Sequence, residues 1–437
     1  MIQFRNSYYA ADEHGKNQAI LAVVKNCGAN ATSIREAISR FNENSDPWKL
    51  REACTPSYVK IFRRLVEQVD GFKFLIDFRQ DVLFAIRKMS AVDYEDYKAE
   101  ELRELRAMEG ALKDLLSLLF STGLMELHRV TWTSPCLLLQ RISEYEAVHP
   151  VRSWADLKHR VGPYRRCFVF LHGAMPTCDP LVILHTALTT EIPGSITDVI
   201  QRSRHEQDGF SVDAKEDPAE VKAAIFYSIS STQKGLTGID MGNSLIKQVV
   251  QSLRNEFPEL NVFSTLSPVP GFREYLLENL DRCSKGLHTS LSRLPPEEMA
   301  ILLSSLPQLR DGSWLRQRAS SNSGERKSFS TDDEVLRRAL TRACVLYLCW
   351  EKRRGYCLNP VANFHMRNGA ELWRINFLGD PSSRGIRNAF GFMVNYRYFL
   401  SNLNENSRRY MEREPIALSD DVRSWLPVDE SWNGTCE

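Results

Sequence analysis

Apolar positions recur every three to four residues through residues 1–127, then give way to short β-rich runs, and this change of period divides the chain. In the first part, Val59, Phe62, Leu65, Val66 and Val69 fall on one helical face. Thr55 and Pro56 before them read as a helix start, a capping hydroxyl followed by a proline, and Gly71 reads as the stop. A second helix is predicted over 77–88. A third runs over 93–124, with Leu102, Leu105, Met108, Leu112, Leu115 and Leu119 at steps of three and four. Strand signals are nearly absent, so the pattern predicts an antiparallel helical bundle. No constellation of reactive side chains occurs in it, and it reads as a packing or oligomerisation module.

After His128 the pattern becomes α/β. Residues 167–171, 181–185, 224–230 and 262–267 read as strands. Between the last two lies a glycine-bearing turn and a clean amphipathic helix with Met241, Leu245, Val249, Leu253 and Phe257 at steps of four. The polar stretches 202–218 and 309–333 read as surface loops, and a helix is expected over 334–350. His365 sits in an uncharged run that reads as a loop, and Tyr396, Arg397 and Tyr398 read as strand.

Composition narrows the function classes. The 437 residues exceed one ordinary core. Lys and Arg number 56 against 55 Asp and Glu, a balance that gives no support for a nucleic-acid partner. No run is long and apolar enough for a membrane span. Ten cysteines are scattered without a CxxC pair, which disfavours a thiolate zinc site and suits reduced, mostly buried thiols. The N-terminal residues show neither an apolar signal core nor an Arg-rich leader, and the final residues are no peroxisomal tail, so the expected location is cytoplasmic.

Strand, glycine turn, amphipathic helix is the shape of a phosphate-binding element. A Walker lysine and a G-x-G-x-x-G fingerprint are both missing. Thr237, Gly238, Ile239, Asp240, Met241, Gly242 and Asn243 form a degenerate version of the pyrophosphate turn of acyl-CoA acetyltransferases, with Asp240 where that turn has its first glycine. On pattern alone this segment is either a CoA site or an ordinary strand-to-helix turn. Ser267, at a strand end before a proline break, reads as a turn residue, and no G-x-S-x-G surrounds it. A lone His365 reads as a hydrogen-bonded core residue.

The same blocks resemble the malonyl-CoA decarboxylase family. The matching stretches are HRVTW (128–132), EAVHPV (146–151), RVGPYRRC (160–167), AAIFYSIS (223–230), TQKGLTGIDMG (232–242), FSTLSPVPGF (263–272), LNPVANFH (358–365), NGAELWRIN (368–376) and NYRYF (395–399). The resemblance implies an α+β protein: a helical domain over 1–127, then an acetyltransferase-like (GNAT-type) catalytic domain over 128–437. It implies that Ser267 and His365 form the catalytic pair, with Tyr398 close by, and that the turn from Thr237 to Asn243 contacts CoA. The family usually carries glutamate at the position of Asp240. The implied activity converts malonyl-CoA to acetyl-CoA and CO2 in fatty-acid metabolism. The thioester serves as electron sink, so no metal or separate cofactor is expected. A homo-oligomer, a tetramer in the family, is also implied, as are mitochondrial and peroxisomal locations. Two readings compete: a true N-acyltransferase, and a CoA-binding scaffold without activity.

Overall fold

The computed structural model describes residues 2–44, 46–91, 96–120, 124–146, 148–201, 216–239, 244–320 and 330–426. Among the described residues seven helices precede the first strand: Ile2–Ala10, Glu13–Cys27, Ala31–Asn44, Pro47–Cys54, Ser57–Val66, Gly71–Ser90 and Asp96–Leu119. The predicted period holds where it was clearest. Phe62, Leu65, Leu105, Met108 and Leu112 are all buried.

The start signal at Thr55 works differently from the expectation. Its hydroxyl donates to the Arg51 carbonyl at 2.8 Å and so finishes the preceding helix, while the next helix begins at Ser57 without a side-chain cap. Val69 lies outside the helical face and is exposed. Gly71 ends one run and also opens the next helix, which reaches Ser90 and buries Phe72, Phe74, Phe78 and Val82. The turn between them needs glycine because a Cβ there would stand 1.7 Å from the Leu65 carbonyl oxygen.

The strands are β1 (Met125–Val130), β2 (Arg165–His172), β3 (Val182–Thr189), β4 (Ala223–Ser231), β5 (Val262–Thr265), β6 (Ser267–Pro268), the small hairpin β7 (Lys352–Arg353) and β8 (Tyr356–Cys357), then β9 (Glu371–Asn376) and β10 (Met393–Tyr398). One sheet runs β1-β2-β3-β4-β5-β10-β6, with β9 on the other edge of β10. The pairs are antiparallel except β4 and β5, which run parallel from Ala223↔Val262 to Phe226↔Thr265. A parallel pair needs a crossover. The helix Ser244–Glu256 supplies it, burying Leu245, Val249 and Leu253 as the sequence period requires.

The helical region and the sheet share one apolar core, which contains Phe62, Phe72 and Leu112 from the helices and Phe168, Phe226, Tyr396 and Tyr398 from the strands. Phe72 stacks flat on His172 at the end of β2, with ring centroids 4.8 Å apart. The segment 309–333 is less loop-like than its polarity suggested. Leu306–Asp311 and Ser313–Ser320 are helical, with Leu309 and Leu315 buried beneath polar neighbours, and 321–329 lies outside the described residues. The following helix, Thr331–Cys349, is capped by a reciprocal Ser330–Asp333 box.

Gly71→Ala should destabilise the chain by about 1–3 kcal/mol, because the added methyl meets backbone rather than a side chain that can move aside. Urea unfolding of both proteins measures it; an unchanged midpoint would show that the turn relaxes freely.

Candidate active site

Three segments far apart in sequence meet at one point. Ser267 opens β6, one residue past Leu266, whose N–H bonds the Phe226 carbonyl at 3.2 Å. β5 and β6 lie end to end along β10, pairing Ser264 with Arg397 and Ser267 with Val394. His365 comes from the helix Pro360–Arg367, a correction to the loop expected there. Asn359 caps that helix, its side-chain oxygen accepting the N–H groups of Val361 and Ala362, and Pro360 fits the first turn, where its missing N–H costs nothing. The strand β10 presents Tyr396 and Tyr398, two residues apart, to the same face.

The resulting chain of contacts is short and buried. His365 Nε2 lies 3.2 Å from Ser267 Oγ, and Nδ1 lies 2.7 Å from the Tyr398 hydroxyl. Ser267 donates to Thr265 Oγ1 at 3.0 Å, and the same oxygen accepts the Tyr396 N–H at 3.1 Å. With the Ser267 proton directed at Thr265, its oxygen accepts from Nε2–H and Nδ1 accepts from Tyr398, which assigns the tautomer. The imidazole also stacks on the Tyr396 ring, 4.5 Å between centroids and 25° from parallel. Burial pushes the His365 pKa down to about 3 and holds the Tyr398 phenol well above its usual value, so the resting ring is neutral and the phenol keeps its proton.

On the other side of the sheet, β4 carries a bulge. Thr186 pairs with Phe226 and His185 with Ser228, so Tyr227 is the extra residue. Beyond Phe226 the pairing with β5 ends, although β4 continues to Ser231. Glu146 anchors this stretch. Its buried carboxylate accepts the Ser228 hydroxyl at 2.8 Å and the N–H groups of Val148 and His149 at 2.9 Å each. His185 Nε2 stands 3.3 Å from the same carboxylate. Burial outweighs that attraction and pushes the His185 pKa down to about 4.

The glycine turn follows β4. Lys234–Leu236 forms a single 3-10 turn, and Gly238 takes a left-handed conformation with φ of 75°. Thr237, Gly238 and Ile239 are described, whereas Asp240, Met241, Gly242 and Asn243 lie outside the described residues. Ser267, His365 and Tyr398 are therefore brought together by the fold. Thr265 and Asn359 join them without having been singled out in the sequence, and so does Tyr396, read there only as strand. The Asn359-Pro360 pair was the available signal for Asn359, an N-cap residue followed by proline. Among the described residues no three His, Cys, Asp or Glu gather as a metal-holding group, and no helix is long and apolar enough to cross a membrane.

Residues 27–120 match the model of the malonyl-CoA decarboxylase N-terminal domain, and residues 123–434 that of its C-terminal domain. The chain belongs to the malonyl-CoA decarboxylase family. The mitochondrial malonyl-CoA decarboxylase of Anser anser anser is 42% identical over 388 residues, 86% of this chain and 71% of that protein. Its counterpart in Rattus norvegicus is 41% identical over 385 residues, covering 88% and 74%. Crystal structures of malonyl-CoA decarboxylases from Rhodopseudomonas palustris and Agrobacterium vitis superpose with TM-scores of 0.78 and 0.76, each at 31% identity and over 96% of this chain. They cover 87% and 93% of those chains. The likeness extends through the helical region as well as the sheet, as expected of this family member.

The two buried histidines make stability depend on pH with a defined sign. Both rings are neutral when folded, with pKa values of about 3 and 4, and both return toward 6.5 when unfolded. Below pH 6.5 the unfolded chain therefore binds more protons, and stability falls as pH falls toward 4. His185→Asn should lose less melting temperature than the parent between pH 7 and pH 5, even if it starts lower. Equal slopes would show that His185 takes up its proton without unfolding.

Proposed function

We propose that this chain decarboxylates malonyl-CoA to acetyl-CoA and CO2, with His365 as the proton source. Family membership supports the reaction. The observation that carries the site assignment is the buried contact of His365 with Ser267 on one side and Tyr398 on the other. In this reading the bond between carbon 2 and the carboxylate breaks, and its electron pair moves into the thioester as an enolate. Backbone N–H groups on β4 between Tyr227 and Ser230, held by the Glu146 anchor, are the donors to the enolate oxygen. The turn from Thr237 to Asn243 takes the CoA pyrophosphate.

The pKa of His365 shapes the proton step. An imidazole held near 3 in the unliganded site carries no extra proton at pH 7. The malonyl carboxylate brings in the negative charge that stabilises an imidazolium, so substrate binding itself loads the donor. After CO2 leaves, the Ser267 proton passes to carbon 2 and Nε2–H restores the serine. The ring is then neutral with its proton on Nδ1, one solvent proton has been delivered, and exchange of protons with solvent returns the ring to its resting Nε2–H tautomer. Tyr398 donates to Nδ1 of the resting ring and accepts from Nδ1–H of the charged ring and of the tautomer left after proton transfer.

Incubation with malonyl-CoA and no amine acceptor should release CO2 and acetyl-CoA in equal amounts. Release of free CoA without CO2, or turnover only when an amine is added, would replace this reading with a hydrolase or an N-acyltransferase.

His365→Asn keeps roughly the shape of the ring but carries no proton at neutral pH. Its kcat should fall by about 10²–10⁴-fold, the range for losing a general acid. The dissociation constant of a non-reactive acyl-CoA should stay within about threefold, because the lost interaction acts in the transition state. Normal turnover in a variant with a lowered melting temperature would make His365 a core residue instead.

A further inference from the structure

Arg79 belongs to the helix Gly71–Ser90, inside the helical region, yet it is 1% exposed and reaches the loop that follows β4. Its guanidinium makes four hydrogen bonds. Nε and Nη2 donate to Glu109 Oε1 at 3.1 and 2.6 Å, Nη1 donates to the Gly235 carbonyl, and Nη2 also donates to the Thr237 carbonyl at 3.0 Å. Glu109 supplies the countercharge, so the two carbonyls are not needed to neutralise the cation. The fork holds two alternate carbonyls of one tight turn, which a flexible ammonium cannot do. The contact below is just as close: a Cβ on Gly235 would stand 1.8 Å from the Ile76 carbonyl oxygen, so this glycine lets the turn sit directly on the helix.

Pinning those carbonyls fixes the opposite side of the turn. In a trans peptide the C=O and the following N–H point in opposite directions. With the Thr237 oxygen turned toward Arg79, the Gly238 N–H points away from the helix. Among the described residues this N–H has no backbone acceptor, whereas Thr237 and Ile239 donate back to Lys234 and Leu236. A Cβ at Gly238 would meet nothing within 4 Å among the described residues, so the turn itself is not packed against them at this position. An amide so held favours an anion without rearrangement on binding.

We infer that Arg79 is a positioning residue that holds the Gly235–Gly238 backbone, from the helical side, in the geometry that receives the CoA pyrophosphate. This rests on the proposed reading of the turn as the CoA site. The helical region then forms the floor of the substrate site, beyond any role in packing or assembly.

The test uses the full chain, with free CoA as binding probe and malonyl-CoA for kinetics. Arg79→Lys keeps the charge beside Glu109 but spans only one carbonyl. It should raise the CoA dissociation constant and the KM by about 10-fold, a charge-assisted hydrogen bond's worth, with kcat within about threefold. Arg79→Met, if folded by its melting transition, should raise both by up to about 100-fold. Gly238→Val, a β-branched residue forced to positive φ in the turn itself, is the companion variant and should weaken CoA as well. If Gly238→Val weakens CoA but Arg79→Lys binds it within about twofold of wild type, the inference is overturned and the turn reading stands. If Gly238→Val binds CoA normally, the turn reading falls and takes the inference with it. Loss of kcat with unchanged KM in Arg79→Lys would also overturn it, since a generally loosened fold gives that pattern.

Discussion

The carbonyl of Pro270 accepts two hydrogen bonds, 2.8 Å from the Tyr347 hydroxyl and 2.9 Å from the Asn359 side chain, and the spacing of the reactive groups depends on that joint. Pro270 lies three residues after Ser267. Asn359 caps the helix that carries His365, so one amide side chain starts the histidine's helix with its oxygen and ties down the serine's turn with its nitrogen. Gly271 makes the joint possible: it takes φ of 80°, and a Cβ there would stand 2.8 Å from the Tyr347 oxygen. The 3.2 Å contact between Ser267 and His365 spans 98 residues of sequence, and a hydrogen bond at the edge of its useful range tolerates little drift. Covalent neighbours on both sides of that contact are therefore fixed to a common backbone atom.

The joint also explains how a neutral imidazole is kept where water is excluded. Both ring nitrogens have partners, and the Tyr396 face covers the ring, so desolvation acts on its charge while its hydrogen bonding stays satisfied. The opposite face of the sheet handles a buried carboxylate in the same way. Glu146 is completed by a hydroxyl and two backbone N–H groups, and it holds β4 at the point where the strand bulges. Each face thus buries a titratable group among satisfied partners, Glu146 fastened to β4 and His365 to β6 and β10.

The helices and strands were largely legible because they rest on periods that survive burial: Leu105, Met108 and Leu112 in the bundle, and the five-residue apolar run 167–171 in β2. The site was legible only through family resemblance. Read locally, Ser267 is a serine before a proline, and His365 is a histidine in an eight-residue helix too short to show a period. Their contact arises from β6 lying along β10 while Asn359 ties the histidine's helix to Pro270, which no local pattern encodes. Tyr396 and Tyr398 were one step more accessible, since residues two apart in a strand share a face. Arg79 was the least legible. An arginine in an amphipathic helix reads as solvent-facing, and only the tertiary fold reveals the carbonyls that justify burying it.

The parallel pair β4 and β5 brings the turn and the serine, proposed to serve one ligand, to one end of the sheet. The glycine turn leaves the C-terminal end of β4, and Ser267 follows the C-terminal end of β5 by two residues. Strands that run the same way put their C-terminal ends on the same edge of the sheet, the edge where open α/β sheets receive ligands. Had β5 joined β4 by a hairpin, as β3 joins β2, the two segments would leave from opposite edges. The pairing of β4 with β5 stops at Phe226 and Thr265, while past Leu266 the chain keeps its register along β10. Beyond Phe226 β4 continues unpaired by β5 along the bulge at Tyr227. The end of β4 beyond β5, the Ser267–His365 pair and the turn held by Arg79 then share one end of the sheet, and in the proposed reading the thioester meets the turn with its pyrophosphate, β4 with its carbonyl and the Ser267–His365 pair with its carboxylate.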